Sequence, residues 1–140
     1  LKSISSYRNL RWQDAADLDG SPLDVANTQR DTSFHAYSQE LQLTGVALDD
    51  RLNYVVGAFY YKEKAETLGP QRFFGFLNQV GAPGAADLQS DYGSHTRAWA
   101  LYAQLDYRLT DALKMTLGAR YTDEVKDIRR KFAVGTPRVT

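Results

Sequence analysis

The sequence predicts an all-β chain whose consecutive antiparallel, up-and-down strands form part of the wall of a large transmembrane barrel. Three observations predict it. Residues 99–121, WALYAQLDYRLTDALKMTLGARY, alternate apolar and polar side chains on both sides of a short polar break. Connections between alternating segments are short and long in turn. Segments carrying the apolar stripe continue past it as alternating but charged chain.

The first alternating stretch, Leu1 to Trp12, reads as a strand with no cleanly apolar face. A long connection follows near 13–34, rich in Asp, Gly, Pro, Asn and Ser, which satisfy turns locally. The next strand places Tyr37, Leu41 and Leu43 on one face and Ser38, Glu40, Gln42 and Thr44 on the other. A short turn near 46–51 leads to a strand with Leu52, Tyr54, Val56, Ala58 and Tyr60 on one side. Asn53, Val55, Gly57, Phe59 and Tyr61 lie on the other. The register of this hairpin is open by two residues.

A second long connection spans about 65–94. Within it, Phe73, Phe76, Leu77 and Val80 recur at helical spacing, which suits a short helix in 71–80. The final hairpin turns near 109–112. Trp99, Leu101, Ala103, Leu105 and Tyr107 share a face with Leu113, Met115, Leu117, Ala119 and Tyr121. Period two over this length means strand. The expected register sets Trp99 opposite Tyr121, Arg97 opposite Asp123 and Asp106 opposite Lys114, with Tyr102 covering Gly118. Five strands are expected in all.

Alternation alone fits a soluble sheet as well as a membrane barrel. Short turns on one side and long loops on the other fit the periplasmic and extracellular ends of an outer-membrane barrel. The apolar stripe is about 20 Å tall at ~3.3 Å per residue and a tilt near 40°. Trp99 and Tyr121 stand at one rim and Tyr107 at the other, as membrane-girdle aromatics do. Glu40, Gln42, Asp106, Lys114, Thr116 and Arg120 share the opposite face, where a narrow dry core would penalise their charges. A wide wet lumen accepts them. Five strands cannot close such a barrel, and open edges do not occur in lipid, so the sequence is expected to be a piece of a larger wall that begins inside a longer protein.

Composition narrows the function. The 140 residues carry 17 Lys and Arg against 17 Asp and Glu, so no basic excess points to nucleic acid. Cys is absent, which removes disulfides and thiolate metal sites. No run approaches the roughly 18 apolar residues of a membrane helix. His35 and His95 are expected on the same side with one strand between them, about 10 Å apart at the ~4.8 Å strand spacing, too far for a shared metal. Asp49 and Asp50 fall on a turn. Asp123 and Glu124 point to opposite faces of a strand. No phosphate loop or nucleophile elbow occurs. No enzyme, cofactor or metal is expected.

SISSYR (3–8), YSQELQLTG (37–45), LNYVVGAFYYKE (52–63) and WALYAQLDYRLTDALKMTLGARYTDE (99–124) occur in that order. In this the chain resembles the β-barrel region of TonB-dependent outer-membrane receptors, with MTLGARYTDE the most telling block, across nearly all of 1–140. The resemblance implies a stretch of a 22-stranded barrel with a plugged lumen, in the bacterial outer membrane, importing scarce nutrients such as ferric siderophores. The family's plug domain does not appear in this sequence. Implied partners are outer-membrane lipid and lipopolysaccharide, the plug, TonB through the plug, and the transported ligand. Arg72, Phe73, Phe74 and Tyr92 are ligand-contact candidates, with loop packing and solvation the simpler account of them. Glu40, Gln42, Gln104 and Arg120 are candidates for the lumen and the plug. Arg129 and Lys131 follow the apolar stripe on its own face and are expected to meet lipopolysaccharide phosphates, or water alone. A passive porin-like channel, or a soluble β-sandwich or lipocalin-like module, remains an alternative.

Overall fold

A computed structural model describes residues 1–135 of the chain. The elements are β1 (Lys2–Asp17), β2 (Ala26–Ala47), β3 (Leu52–Leu68), β4 (Pro70–Phe73), the one-turn helix α1 (Phe76–Gln79), β5 (Ala86–Thr110) and β6 (Leu113–Val134). The strands form one six-stranded sheet. In it β1 pairs β2, β2 pairs β3 and β4, β5 pairs β3 and β4, and β6 pairs β5.

Six strands make five rows. Ala26 pairs Phe73 between β2 and β4, and Pro70 pairs Gln89 between β4 and β5. Beside them, the Ser90 N–H donates to the Gly69 carbonyl at 3.0 Å. β4 therefore continues the β3 row past an interruption at Gly69. A side chain at Gly69 would press on the Ser90 carbonyl, so the close approach there suits glycine.

Much of what the sequence reads as long connection is strand. Residues 13–17 and 26–34 belong to β1 and β2, and residues 65–68 and 86–94 to β3 and β5. The linking segments shorten to 18–25 and to 74–85, the second containing α1. The short turns occupy 48–51 and 111–112. In the first, Leu48, Asp49 and Asp50 all adopt positive φ, and the Arg51 N–H closes on the Leu48 carbonyl at 3.1 Å. Left-handed turn residues of this kind match the twist of a hairpin.

The chain divides into two compact units. The first holds Leu1–Arg8, Ala36–Glu63 and Thr96–Lys126. Its two faces differ sharply. On β5 the buried residues are Thr96, Ala98 and Ala100, while Arg97, Trp99 and Leu101 between them are exposed. Ala100 is 1% exposed and Leu101 54%. On β3 the shielded residues are Val55, Gly57, Phe59 and Tyr61, and Val56, Ala58 and Tyr60 are exposed. On β5 the bulky apolar side chains thus face out over small ones on the shielded side, the reverse of a soluble sheet, while β3 carries apolar side chains on both faces.

The second unit holds Asn9–His35, Lys64–His95 and Asp127–Thr140. Its rows are tied by polar pairs. Arg11 and Gln13 donate to the Asp31 carboxylate at 2.9 and 2.7 Å, Arg30 to Asp14 at 2.6 Å, and Thr32 and Thr67 share a hydrogen bond of 3.0 Å. Buried residues here include Thr32, Gln89 and Ser90.

The register of the final hairpin differs from the expected one by two residues. The Gly135 N–H donates to the Asp87 carbonyl. The side chains nearer the turn keep the same offset: Thr116 donates to Asp106 at 2.7 Å and the Trp99 indole to Asp123 at 3.1 Å. Trp99 is therefore opposite Asp123, and its 5.5 Å ring contact with Tyr121 is diagonal. The Lys114–Asp106 ion pair, at 2.9 Å, is diagonal too. Tyr102 does not cover Gly118, whose nearest potential neighbour is the Ala103 carbonyl. It lies over Gly57 of β3. A slip of two keeps every side chain on its face, so the apolar and polar stripes could not reveal it.

Candidate functional site

The shielded face of the first unit carries a polar cluster around Tyr102. Gly57 lacks a side chain, and the Tyr102 ring lies across the gap it leaves. From there the Tyr102 hydroxyl donates to Glu40 Oε1 on β2 at 2.5 Å. Gln42 Nε2 donates to the same oxygen at 3.0 Å. The Arg120 guanidinium sits 5.8 Å from the Tyr102 ring centre and 6.0 Å from that of Phe59, a cation–π arrangement with both. Its Nε donates to Thr122 at 3.0 Å.

Three of the four residues named as lumen candidates, Glu40, Gln42 and Arg120, thus meet in one cluster. Gln104 stands apart, 3.5 Å from Asp106, in a second group where Asp106 also takes Lys114 and Thr116. Sequence reasoning missed Tyr102 and Phe59 as members. The signal for Tyr102 was a glycine on a neighbouring strand, which alternation along one strand does not register.

The exposed face of this unit carries Leu41, Leu43, Val56, Tyr60, Trp99, Leu101, Leu105, Met115, Leu117 and Tyr121. Trp99 and Tyr121 tilt against each other at 52°. Tyr107 lies half-buried on the same strand, three residues before its end. A contiguous exposed apolar surface of this kind marks contact with a partner or a membrane.

In the second unit the long connections bind each other. The Phe74 N–H donates to the Val25 carbonyl at 2.6 Å and the Phe76 N–H to the Asp24 carbonyl at 2.9 Å. Asp17 and Asp19 fold 18–25 by accepting backbone N–H groups from Asp19, Gly20, Ser21 and Ala26. Bonds to Ser21 and Ala26 hold the Asp19 carboxyl below its ordinary value.

The four ligand-contact candidates fall in different places. Arg72 pairs Asp87 at 2.8 Å, which raises its already high pKa. It lines a hollow of about 350 Å³ with Asp17, Asn27 and Gln71. Phe73 is half-buried in β4, and Phe74 is exposed at a φ of 56°. Tyr92 lies under the Arg130 guanidinium, 5.1 Å from its ring centre. It lines a larger hollow of about 750 Å³ with Arg11, Asp31, His35, Arg129 and Lys131. The structure therefore groups Arg72 with Phe73 and Phe74 but not with Tyr92.

Stepping along the paired rows from Ala26–Phe73 and from Gly69–Ser90 sets His35 and His95 on either side of Lys64. Two strand spacings, about 10 Å, separate them. Among the described residues no group of three or more His, Cys, Asp or Glu could hold a metal. Nor among the described residues is any helix long and apolar enough to cross a membrane, a criterion that does not bear on barrels.

A family model described as "TonB dependent receptor-like, beta-barrel" matches residues 1–140, the whole chain. Among curated proteins no match was found.

Proposed function

Because the chain belongs to the TonB-dependent receptor β-barrel family, we propose that it forms part of the wall and outer mouth of an active importer in the bacterial outer membrane. The family's barrels serve outer-membrane transport driven through TonB. The transported ligand in this reading is a ferric siderophore-type iron chelate. The observation that carries the reading is the inverted pattern of the first unit, with Leu101, Leu105, Leu117 and Tyr121 exposed and Glu40, Tyr102 and Arg120 clustered behind them.

Each part then has a task. The apolar face meets lipid tails, with Trp99, Tyr121 and Tyr107 at its rims. The Glu40–Tyr102–Arg120 cluster offers charged and polar groups to a plug domain in the lumen. The segments 18–25 and 74–85, with Arg72, Phe73 and Phe74, meet the ligand outside. Tyr92 and Arg130 form a separate aromatic–cation contact in the same unit. Ferric chelates are often anionic, and cations beside aromatic rings suit them.

The barrel needs neighbours. Among the described residues β1 and β6 each pair on one side only, and an unpaired edge is not tolerated in lipid. Flanking strands of the receptor complete the wall.

The test uses the full receptor in its native host under iron starvation. Uptake of radiolabelled ferric chelates is measured for the wild type and for Arg72→Gln with Phe74→Ser. Wild-type uptake that vanishes without TonB, and falls in the variant with barrel abundance unchanged, supports the reading. Uptake of small solutes that persists without TonB points to a passive channel instead.

A further inference from the structure

The exposed face of the first unit presents two cations directly opposite each other. The Arg108 N–H donates to the Arg51 carbonyl at 2.8 Å, which fixes the pairing of β3 with β5. The Tyr102 ring over Gly57 obeys the same offset. Following it along both strands sets Tyr60 opposite Trp99, and in the next exposed position Lys62 opposite Arg97. All four side chains are exposed. Among the described residues neither Lys62 nor Arg97 forms an ion pair; Asp123 on β6 accepts the Trp99 indole N–H and keeps its charge.

Like charges facing each other across a sheet destabilise it. An anion lying between the two would reverse the sign of that interaction. The position limits which anion. Tyr60 and Trp99 are the kind of side chain that sits at a membrane–water boundary, and the apolar face runs on from them through Ala58 and Leu101. An anion held by Lys62 and Arg97 therefore stands one step beyond the boundary, above apolar chains packed on that face. A phosphate on a lipid headgroup fills this place. A phosphomonoester carries about −1.5 to −2 at neutral pH, which matches two cations. Arg offers a fork of donors to its oxygens and Lys a point charge.

We propose that Lys62 and Arg97 form a binding site for the phosphomonoester headgroup of a membrane lipid, the phosphorylated lipid anchor of lipopolysaccharide in this setting. This rests on the apolar face meeting lipid.

Native mass spectrometry of the purified full receptor with lipid A tests it. The Lys62→Gln/Arg97→Gln variant should bind lipid A about 25-fold more weakly, about fivefold per cation. Chemically dephosphorylated lipid A should bind wild type and variant alike, and Lys62→Arg/Arg97→Lys should retain binding. Equal lipid A binding by wild type and the double Gln variant overturns the proposal. So does full displacement by an equal concentration of inorganic phosphate, which would make this a free-anion site. Should the double variant not fold, each single Gln variant carries the test at about fivefold. A spin label at Leu101→Cys separates the premise. A label reached by oxygen in the bilayer, with unchanged lipid A binding, defeats the headgroup site alone. A label reached only by aqueous relaxers defeats the lipid-facing reading as well.

Discussion

The Tyr102 hydroxyl on β5 donates to the Glu40 carboxylate on β2 at 2.5 Å, passing over Gly57 on the strand between them. Three rows of the sheet are tied by one side chain, and the tie depends on an absent one. An aromatic ring over a strand glycine restores the packing that the glycine lacks. Tyr54 lies over Gly45 in the same way on β2 and β3.

Gly57→Ala should therefore destabilise the barrel. The new methyl would overlap the Tyr102 ring, which must swing away and release Glu40. Overpacking of this kind costs about 1–3 kcal/mol. Urea unfolding of the full receptor in lipid vesicles measures it, and Gly57→Ala combined with Tyr102→Ala should recover part of the loss. An unchanged midpoint for the single variant would contradict the packing described.

Adjacent residues on β5 should respond oppositely to charge. Ala103→Lys places an ammonium on the exposed apolar face midway between Trp99 and Tyr107, at a cost of about 2–4 kcal/mol near the bilayer midplane. Gln104→Lys places it beside Asp106 on the polar face, where the change should be within about 0.5 kcal/mol. Equal effects of the two substitutions in vesicle unfolding would argue against lipid on one side and water on the other.

Oxidative cross-linking should report the register of β5 and β6. Asp106→Cys with Thr116→Cys places two thiols on directly opposed residues of one face, and a disulfide should form readily. Asp106→Cys with Lys114→Cys spans a diagonal that exceeds comfortable disulfide geometry. Faster bridging of the second pair would restore the register expected from the sequence.

Acid should loosen the β1–β2 pairing of the second unit. Hydrogen bonds from Arg11, then Gln13, hold the Asp31 carboxyl below its ordinary value of about 3.9. A group with a depressed folded pKa stabilises fully above the unfolded pKa. That contribution is lost as pH falls below about 4 and on through the lower folded value. Amide protection factors in 9–17 and 26–35, which divide out the intrinsic pH dependence of exchange, should therefore fall over that window, and Asp31→Asn should show the lower protection already at neutral pH. Protection factors that are flat between pH 5 and 3 would count against it.

How much of this was legible in the sequence depends on the kind of residue. Leu101, Leu105, Leu117 and Tyr121 announce their face because a two-residue period is visible along a single strand. Residues 26–34 and 86–94 form strand all the same, but their polar alternation sets no apolar stripe against a polar one, so they read as loop. The offset between β5 and β6 was hidden because shifting by two preserves both stripes. β4 was hidden behind Gly69, which looks like a loop residue and is a narrow gap in a continuing row. In the site, Glu40, Gln42 and Arg120 were found by polarity. Tyr102 and Phe59 were not, since their role comes from a strand distant in sequence.

The 22 residues of β6 leave one flank of amide and carbonyl groups open among the described residues. Such a flank accepts any extended chain of suitable length, a second molecule of this protein included. Isolated from the rest of a receptor, these residues should stack copy upon copy into fibrils or insoluble clumps, so a nascent chain must be escorted until its proper neighbour zips into place.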